Sequence, residues 1–336
     1  MLIYRVSLDG NHTQLAKLEL YSLINAYGIN IDAIDLPPRS LILRTNQPLE
    51  CVLWRASMIT SAERVLNSDP NDVDWLSIFS SYYSNPCIRI PFTFMIKHRD
   101  KDCDVSINNV VKVIYKKVPI ARVSLDYPQI ILSIRRLIDE DYICMSLPTG
   151  RDLILHRQLK YRPYAPSTAM ESLLSRVLVN LSQLVPRETF LDPFCGTGSL
   201  LIEASLIGLR AIGSDINPRL IGYAKMLLSY YNTNADVRVA DAKSLPYDDG
   251  TIDGISTDPP YGISSHVHEG SLEELYRSFL REAIRVLKRG RYLVICYIPR
   301  IKLEKMAIDS GFEIIYTYSM RVHSKLTRLV SILRKK

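Results

Sequence analysis

The sequence predicts an α/β protein in which an α+β N-terminal half precedes a doubly wound parallel sheet. Two observations predict this class. From residue 169 onward, short apolar strands alternate regularly with helices, as they do in open parallel sheets. Before residue 150, strands and helices are mixed without strict alternation, which is typical of α+β domains. A chain of 336 residues is long enough for two or three domains.

The N-terminal half opens as strand, helix, strand. Leu2–Leu8 alternates like a strand, and Thr13 can cap a helix whose apolar residues recur at helical spacing until Gly28. Pro37-Pro38 then breaks the chain. After this break we expect strands at Ser40–Arg44, Cys87–Lys97, Ala121–Leu125, Ile130–Leu137 and Tyr142–Leu147, and helices at Glu50–Arg64, Asp72–Tyr83 and Val105–Lys116.

A change of composition separates the two halves. The stretch HRQLKYRPYAPS is basic, aromatic and proline-bearing, and we interpret residues 151–168 as a linker. Beyond it we expect strands at Thr189–Asp192, Ala211–Asp215, Val237–Ala240, Gly254–Thr257 and Tyr292–Cys296, and helices at Ala169–Leu184, Ser199–Leu206, Pro218–Tyr231 and Leu272–Leu287.

Composition argues against several classes of protein. No apolar run approaches the roughly 20 residues that a membrane helix needs, and the first residues lack a signal-peptide pattern. The six cysteines form no C-x-x-C pair, so reduced thiols in the cytoplasm are expected rather than a zinc site. The net charge of +7 permits a polyanionic partner without requiring one.

Acidic residues follow successive strands of the predicted parallel sheet. Asp192 precedes the turn of FLDPFCGTGSLL, in which Gly196 and Gly198 let the backbone approach a ligand. This G-x-G could belong to a dinucleotide fingerprint, but Leu201 stands in place of the third glycine, and Asp192 would repel a pyrophosphate. A cofactor with a cationic amino-acid end fits an acid at this position.

Further acids end the next strands. Asp215 suits the two hydroxyls of a ribose, and Asp241 suits an adenine amino group. A single aspartate of this kind is more often a helix cap or a turn residue. Four such aspartates at the ends of successive strands, with Asp258 as the fourth, indicate a ligand site at one edge of the sheet.

The stretch TDPPYG stops the strand before it, because two prolines fix the backbone and remove two donors. Asp258 then projects from the carboxyl edge of the sheet with Tyr261 close by, where ligands bind in open α/β sheets. A rigid turn that carries a surface tyrosine is the alternative interpretation.

These motifs resemble class I S-adenosylmethionine-dependent methyltransferases that methylate amino groups and carry a [DN]PP[YF] motif. DPFCGTG, DINP, DAKSLP and DPPYG occur in that family's order, and RPYAPSTAM and HSKLTRLVSILRKK are similar to its cofactor-closing motif and its final antiparallel hairpin. The resemblance implies a Rossmann-like methyltransferase domain at residues 169–336 with S-adenosyl-L-methionine as cofactor. The implied cofactor contacts are Thr168, Asp192, Phe194, Gly196, Gly198, Asp215, Ile216, Asp241, Ala242 and Asp258.

The implied reaction methylates the exocyclic amine of a base, a poor nucleophile because its lone pair is delocalised into the ring. Asp258 would accept one N–H bond and the Pro259 carbonyl the other, which aims the lone pair at the methyl group. Tyr261 would stack on the base after it leaves its helix. No metal is required, and His266 and His268 are expected to be substrate-side or ordinary loop residues because no third ligand is evident.

The N-terminal half resembles the ferredoxin-like and THUMP regions of archaeal tRNA guanine-10 N2-methyltransferases. The stretches that carry the resemblance are MLIYRVSLDGNHTQLAKLELYSLINAYGIN, VLWRASMITSAERVL and VPIARVSLDYPQIILSIRRLIDEDYICMSL. It implies a ferredoxin-like domain at residues 1–50 and a THUMP domain at residues 51–150 that docks on tRNA by shape and phosphate contact. The implied product is a guanine at position 10 with one or two methyl groups on N2.

Clustered basic residues fit contact with tRNA phosphates, although each one alone could be a solvated surface charge. The expected RNA contacts are Lys97, Arg99, Lys101, Lys112, Lys116, Arg135, Arg136 and Lys160, with Arg157 and Arg162 beside them in the linker.

A monomer is compatible with the sequence, and no obligatory protein partner is evident from it.

Three alternatives remain open from the sequence. Another THUMP methyltransferase would act on a different tRNA guanine or on rRNA. An RNA-binding module with an inactive catalytic half would not need its full set of acids and glycines, which this chain retains. A dehydrogenase would need a nicotinamide cofactor, which we do not expect to bind.

Overall fold

The structure is a computed structural model that describes residues 1–80, 92–100, 102–166, 169–262, 269–323 and 326–336. None of the helices in these ranges is long and apolar enough to cross a membrane. The strands are β1 (Leu2–Leu8), β2 (Ile31–Leu36), β3 (Ser40–Thr45), β4 (Ile59–Asn67), β5 (Thr93–His98), β6 (Arg122–Val123), β7 (Ile130–Leu137), β8 (Glu140–Leu147), β9 (Thr189–Asp192), β10 (Arg210–Asp215), β11 (Ala235–Val239), β12 (Ile252–Thr257), β13 (Leu287–Tyr297), β14 (Phe312–His323) and β15 (Leu326–Lys335). The α-helices are α1 (Thr13–Ala26), α2 (Glu50–Arg55), α3 (Trp75–Ser80), α4 (Ile107–Lys117), α5 (Gly150–Leu155), α6 (Ser172–Leu181), α7 (Ser199–Leu206), α8 (Pro218–Tyr230), α9 (Glu269–Val286) and α10 (Leu303–Asp309).

The chain forms two compact units that draw on non-consecutive parts of the sequence. The first comprises Met1–Leu8, Asn30–Leu53 and Thr60–Pro148. The second comprises Asp9–Ile29, Trp54–Ile59 and Thr149–Lys336. The consecutive domains expected at residues 1–50, 51–150, 151–168 and 169–336 stay a prediction.

The first unit is built on a sheet of eight strands in the order β2-β3-β1-β4-β8-β7-β5-β6. Antiparallel pairing joins β1 to β3 and β4 to β8, whereas β5 lies parallel to β7. The mixture of pairings confirms the α+β pattern expected of this half. A buried cluster of Ile42, Leu137 and Cys144 forms part of its core.

One expectation for this half needs correction, and one strand of it was not predicted. The helix predicted over Glu50–Arg64 ends at Arg55, and its second part instead enters β4. Strand β4 pairs with β8 near the middle of the sheet, and such pairing overrides the local helical preference of residues like Ala62 and Glu63. Strand β2 was not predicted. Part of the strand predicted at Cys87–Lys97 lies outside the described residues, and the described part begins at Thr93.

The second unit contains a seven-stranded sheet in the order β11-β10-β9-β12-β13-β15-β14. Strands β11, β10, β9, β12 and β13 are parallel, whereas β15 runs antiparallel to both β13 and β14. This arrangement confirms the doubly wound sheet and its antiparallel C-terminal hairpin. Every residue of β12 is buried, as expected for a central strand covered on both faces.

Helix α1 belongs to the second unit although it lies near the start of the chain. Its fully buried Glu19 accepts hydrogen bonds from the backbone of Ser57 and Met58 at 2.9 and 2.8 Å and from Asn180 Nδ2 at 2.8 Å. Asn180, on α6, in turn accepts from Arg55 at 3.1 Å. A buried carboxylate requires such partners, so this network fixes α1 and residues 54–59 against α6.

Candidate active site

The four acids expected at strand ends lie along one edge of the second sheet. Asp192 and Asp215 are the last residues of β9 and β10, and Asp258 follows β12 directly. Asp241 stands two residues after β11. Because β11, β10, β9 and β12 are adjacent and parallel, their carboxyl ends meet at this edge. The structure thus has the geometry that the sequence pattern predicted.

A glycine loop joins β9 to α7 at the same edge. Gly196 has a φ of 51° and Gly198 a φ of 84°, a left-handed conformation that glycine adopts without strain. A Cβ atom at Gly196 would meet no atom within 4 Å, so this position faces open space. The Gly196 amide donates to Asp215 Oδ2 at 3.0 Å, which ties the loop to the next strand end.

A cavity of about 70 Å³ opens between this loop and the end of β12. Asp192 and Asp258 both contribute to its wall, from two neighbouring strands. Phe194 closes one side and packs edge to face on Phe279 of α9, with ring centroids 5.1 Å apart. The other lining residues are Ala169, Met170, Cys195, Gly196, Thr197, Ser199, Leu200 and Leu220.

Asp192 is a buried carboxyl on the wall of the cavity. Its side chain is almost fully buried, and burial raises the pKa of its carboxyl to about 7, with Asp215 and Asp258 adding to the effect. Oδ1 accepts from Thr257 Oγ1 at 2.7 Å and from the Phe194 amide at 3.2 Å. Both of these hydrogen bonds go to Oδ1, so a cationic ligand in the cavity would pair with this carboxylate through Oδ2.

Asp215 and Asp241 are less buried than Asp192. Besides its bond from Gly196, Asp215 accepts from the Asn217 amide at 2.9 Å. Asp241 accepts from the Lys243 amide at 2.9 Å. The residues that follow them differ, since Ile216 is 68% exposed whereas Ala242 is 4% exposed and belongs to the core. Of this pair, Ile216 is therefore the one that a ligand can reach.

The DPPY loop forms a compact ion and hydrogen-bond cluster. The Tyr261 hydroxyl donates to Asp258 Oδ1, and it accepts from Arg328 Nε at 2.8 Å. Arg328 Nη2 lies 3.6 Å from Asp258 Oδ2. Burial raises the pKa of Asp258, and the Arg328 charge and the Tyr261 hydrogen bond act against that rise. Arg328 is thus the counterion that favours the ionised form of this carboxyl.

The backbone of the same loop is held by two further side chains. Arg300 donates to the Tyr261 carbonyl, and the Tyr276 hydroxyl lies 3.5 Å from the Pro260 carbonyl. Pro259 is buried. The loop is therefore fixed by its prolines, by Arg300 and by Tyr276, which holds Asp258 at a defined place on the cavity wall.

Arg328 and Arg300 are site residues that the sequence argument missed. Both are far from DPPY along the chain; Arg328 lies within HSKLTRLVSILRKK, whereas Arg300 belongs to no motif identified in the sequence. The final antiparallel hairpin is the sequence signal from which Arg328 could be found.

The predicted RNA contacts fall into two groups. Lys97, Arg99, Lys112, Lys116 and Lys160 are exposed, as phosphate contacts must be. The predicted contact Lys101 lies outside the described residues, as do the predicted cofactor contact Thr168 and the two histidines His266 and His268.

The other predicted arginines form ion pairs and hydrogen bonds inside their own unit, and their contact with RNA stays a prediction. Arg135 is 14% exposed and binds the buried Glu63 through Nε at 3.0 Å, and Arg136 pairs with Asp141 at 2.7 Å. In the second unit, Arg157 binds the fully buried Glu203 at 2.9 Å, and Arg162 donates to Ser199 Oγ at 2.7 Å. These guanidinium groups already satisfy buried partners, which limits their freedom to meet phosphate, least so for Arg136, which is 34% exposed. The predicted linker itself folds as α5 and a 3-10 turn at Leu159–Tyr161.

Comparison with known proteins agrees with this geometry. Residues 159–329 match the family UPF0020, described as an RMKL-like methyltransferase domain. Over 98% of both chains, the sequence is 30% identical to the tRNA (guanine(10)-N2)-dimethyltransferase of Methanothermobacter thermautotrophicus and 27% identical to that of Methanocaldococcus jannaschii. The crystal structure of TrmN from Thermus thermophilus shares the fold, with a TM-score of 0.51 and 18% identity over the whole of both chains. The chain therefore belongs to the tRNA (guanine(10)-N2)-dimethyltransferase family and carries its RMKL-like methyltransferase domain.

Proposed function

We propose that this protein transfers methyl groups from S-adenosyl-L-methionine to N2 of guanine 10 in tRNA, with N2,N2-dimethylguanosine as the product. The observation that supports this most directly is the place of Asp258. Its carboxylate lies on the wall of the cavity beside the glycine loop and also begins the DPPY loop. One carboxylate thus stands between a donor site and an acceptor site. The family relationship supports the choice of guanine 10.

The residues of the cavity fit the methionine end of the proposed cofactor, and the acids beyond it fit the rest. Asp192 offers a buried acceptor to the ammonium of its methionine part, and Gly196 leaves open space where a side chain would stand. Asp215 and Asp241 would accept from the ribose hydroxyls and the adenine amine, with Phe194, Gly198 and Ile216 around them. When bound, S-adenosyl-L-methionine supplies a methyl group carried on a sulfonium.

On the acceptor side, Asp258 and the Pro259 carbonyl would each accept one N–H bond of the guanine amine. As the new N–C bond forms, N2 loses one proton, and the Asp258 carboxylate is placed to take it. Arg328 would keep that carboxylate ionised before the transfer. Its guanidinium lies over the Tyr261 ring at 5.8 Å, so a flipped base would stack on the opposite face of the ring.

The first half of the chain would position the tRNA. We propose that residues 1–50 and 51–150 act as ferredoxin-like and THUMP regions, with 151–168 connecting them to the catalytic region. The exposed Lys97, Arg99, Lys112 and Lys116 of the first unit suit phosphate contacts that are independent of sequence. Lys160 would add a contact from the second unit.

Mass mapping of methylated guanosines tests this function. The wild-type protein is incubated with S-adenosyl-L-methionine and unmodified tRNA transcripts, and the nucleosides are located by digestion. We expect N2-methylated and N2,N2-dimethylated guanosine at position 10, and none with D258N, whose amide cannot take the proton. S-adenosyl-L-methionine affinity of D258N should stay within a few-fold of wild type by calorimetry. The control D248N changes an exposed acid of the same unit and should retain activity. Methylation at another nucleotide, or near-normal turnover in D258N, would overturn the proposal.

A further inference from the structure

A second cavity of the second unit lies beside the DPPY loop and is not used by the mechanism above. Its volume is about 450 Å³, within the range of ligand pockets. The buried residues Leu272, Ile301 and Met306 supply apolar side chains to its wall. The polar lining residues are Glu273, Arg277, Arg300, Lys302 and Lys305. We call this cavity the basic cleft.

The charges of the basic cleft are strongly unbalanced. Glu273 pairs with Arg277 at 2.8 Å, so the one carboxylate among the described lining residues is already neutralised. Within the described part of the chain, no carboxylate forms an ion pair with Arg300, Lys302 or Lys305. Lys302 directly precedes α10 and Lys305 lies on it; both are exposed and stand three residues apart, so their like charges repel. An anion that enters the cleft would reduce this repulsion.

The basic cleft adjoins the acceptor site through Arg300. The Arg300 guanidinium donates to the Tyr261 carbonyl and stands 3.2 Å from where a Cβ of Gly262 would lie. Leu272 of the cleft approaches the same Gly262 position at 3.2 Å. The cofactor cavity shares no lining residue with the cleft, and Asp258 and Tyr261 connect the two.

We propose that the basic cleft binds the RNA backbone next to the methylated guanine, with Arg300, Lys302 and Lys305 on the phosphates and the apolar side chains against the sugar. This inference rests on the proposed function, because a base that reaches Asp258 must leave its stack. Its flanking phosphates are then drawn to the rim of the acceptor site, where the cleft supplies the matching charge. The cleft holds the strand by its backbone and carries no base specificity.

Charge reversal at the two exposed lysines tests the proposal. K302E/K305E is compared with K225E/R289E, a control with the same change of charge at exposed positions outside the cleft, on α8 and near the start of β13. We expect the cleft variant to raise the KM for tRNA about tenfold or more and to flatten the salt dependence by about 1.4 in log–log slope, for two contacts to a single strand. The control should change KM less than threefold. Both variants should bind S-adenosyl-L-methionine like wild type.

The outcomes separate this proposal from the function on which it rests. If wild type fails to methylate guanine N2, the function fails, and fluorescence anisotropy with a labelled tRNA transcript still measures the cleft without any methyl transfer. Equal KM and equal salt slopes in the two variants would overturn the cleft proposal while leaving the function intact. Calorimetry with GMP tests whether the ligand of the cleft is a free nucleotide instead of the RNA backbone. If wild type and the control bind GMP, K302E/K305E does not, and the KM for tRNA is unchanged in K302E/K305E, the proposal is also overturned.

Discussion

Asp192→Asn should make the cofactor-free protein more stable at pH 8 and at the same time impair its cofactor site. The carboxyl has an ordinary pKa of 3.8 and a pKa of about 7 in the folded protein. A group whose pKa is raised by folding favours the folded state when it is protonated. Its contribution is therefore fully present below pH 3.8 and is lost as the pH rises through 7.

The size of this effect follows from the two pKa values. Each pH unit between the ordinary and the folded pKa corresponds to about 1.4 kcal/mol, so the folded state loses roughly 4 kcal/mol of stability by pH 8. Asparagine carries no charge, and its Oδ1 can still accept from Thr257 and from the Phe194 amide as Asp192 does. D192N should thus exceed wild type by roughly 2–4 kcal/mol at pH 8 and by much less at pH 5.

Urea unfolding of the cofactor-free proteins between pH 5 and 8 measures this difference. The matched control is Asp253→Asn, because Asp253 is also buried but Lys288 and the Thr189 amide lower its pKa. Its contribution has the opposite sign, since it is present above the ordinary pKa and is lost as the pH falls. D253N should therefore be less stable than wild type at pH 8.

Calorimetry supplies the functional half of the test. An ammonium ligand selects the ionised carboxylate, so wild-type affinity for S-adenosyl-L-methionine should fall up to about tenfold per pH unit below 7. D192N should bind at least about 100-fold more weakly at pH 8 and lose that pH dependence. A D192N protein that is less stable than wild type at pH 8, or cofactor affinity that is flat between pH 5.5 and 8, would refute the assignment of Asp192.

Three further changes probe the rest of the molecule. Arg328→Met removes the counterion of Asp258 and should raise the pKa of that carboxyl. The acid side of the pH profile of kcat/KM should then move to higher pH by about one unit or more. R328K should restore part of this shift, and an unchanged pH profile in Arg328→Met would contradict the role of Arg328 as counterion. Arg135→Ala leaves Glu63 buried with fewer partners and should cost about 3 kcal/mol in urea unfolding; a tenfold rise in tRNA KM at unchanged stability would restore Arg135 as an RNA contact. Gly150→Ala places a Cβ 2.2 Å from the Trp54 carbonyl and should cost about 2 kcal/mol by the same measurement; wild-type stability would mean that the backbone shifts freely at this point.

The parallel sheet and its ligand edge could be predicted from sequence because local signals coincide there. Thr189–Asp192 and Ser199–Leu206 have in the structure the bounds that periodicity and the glycine turn predicted. Parallel strands place every carboxyl end on one edge, so locating the strands also located Asp192, Asp215 and Asp258. In this half, local pattern and tertiary contacts agree.

The remaining features depend on contacts between distant residues. Strand β4 looked helical because its local composition suits a helix, and only pairing with β8 makes it a strand. Glu19 meets Asn180 across 161 positions, so no window of sequence could place α1 in the second unit. Arg135 looked like a surface charge because its partner Glu63 lies 72 positions away.

The reversal of the final strands explains how a C-terminal residue reaches the acceptor site. Strand β15 runs antiparallel to β13, and Leu329 pairs with Tyr297, the last residue of β13. The start of β15 therefore lies at the carboxyl edge of the parallel strands. A parallel β15 would carry Arg328 to the opposite edge, far from Asp258. In this orientation the hairpin completes the sheet and also supplies the charge that opposes protonation of Asp258, so the final hairpin takes part in the chemistry as well as in the fold.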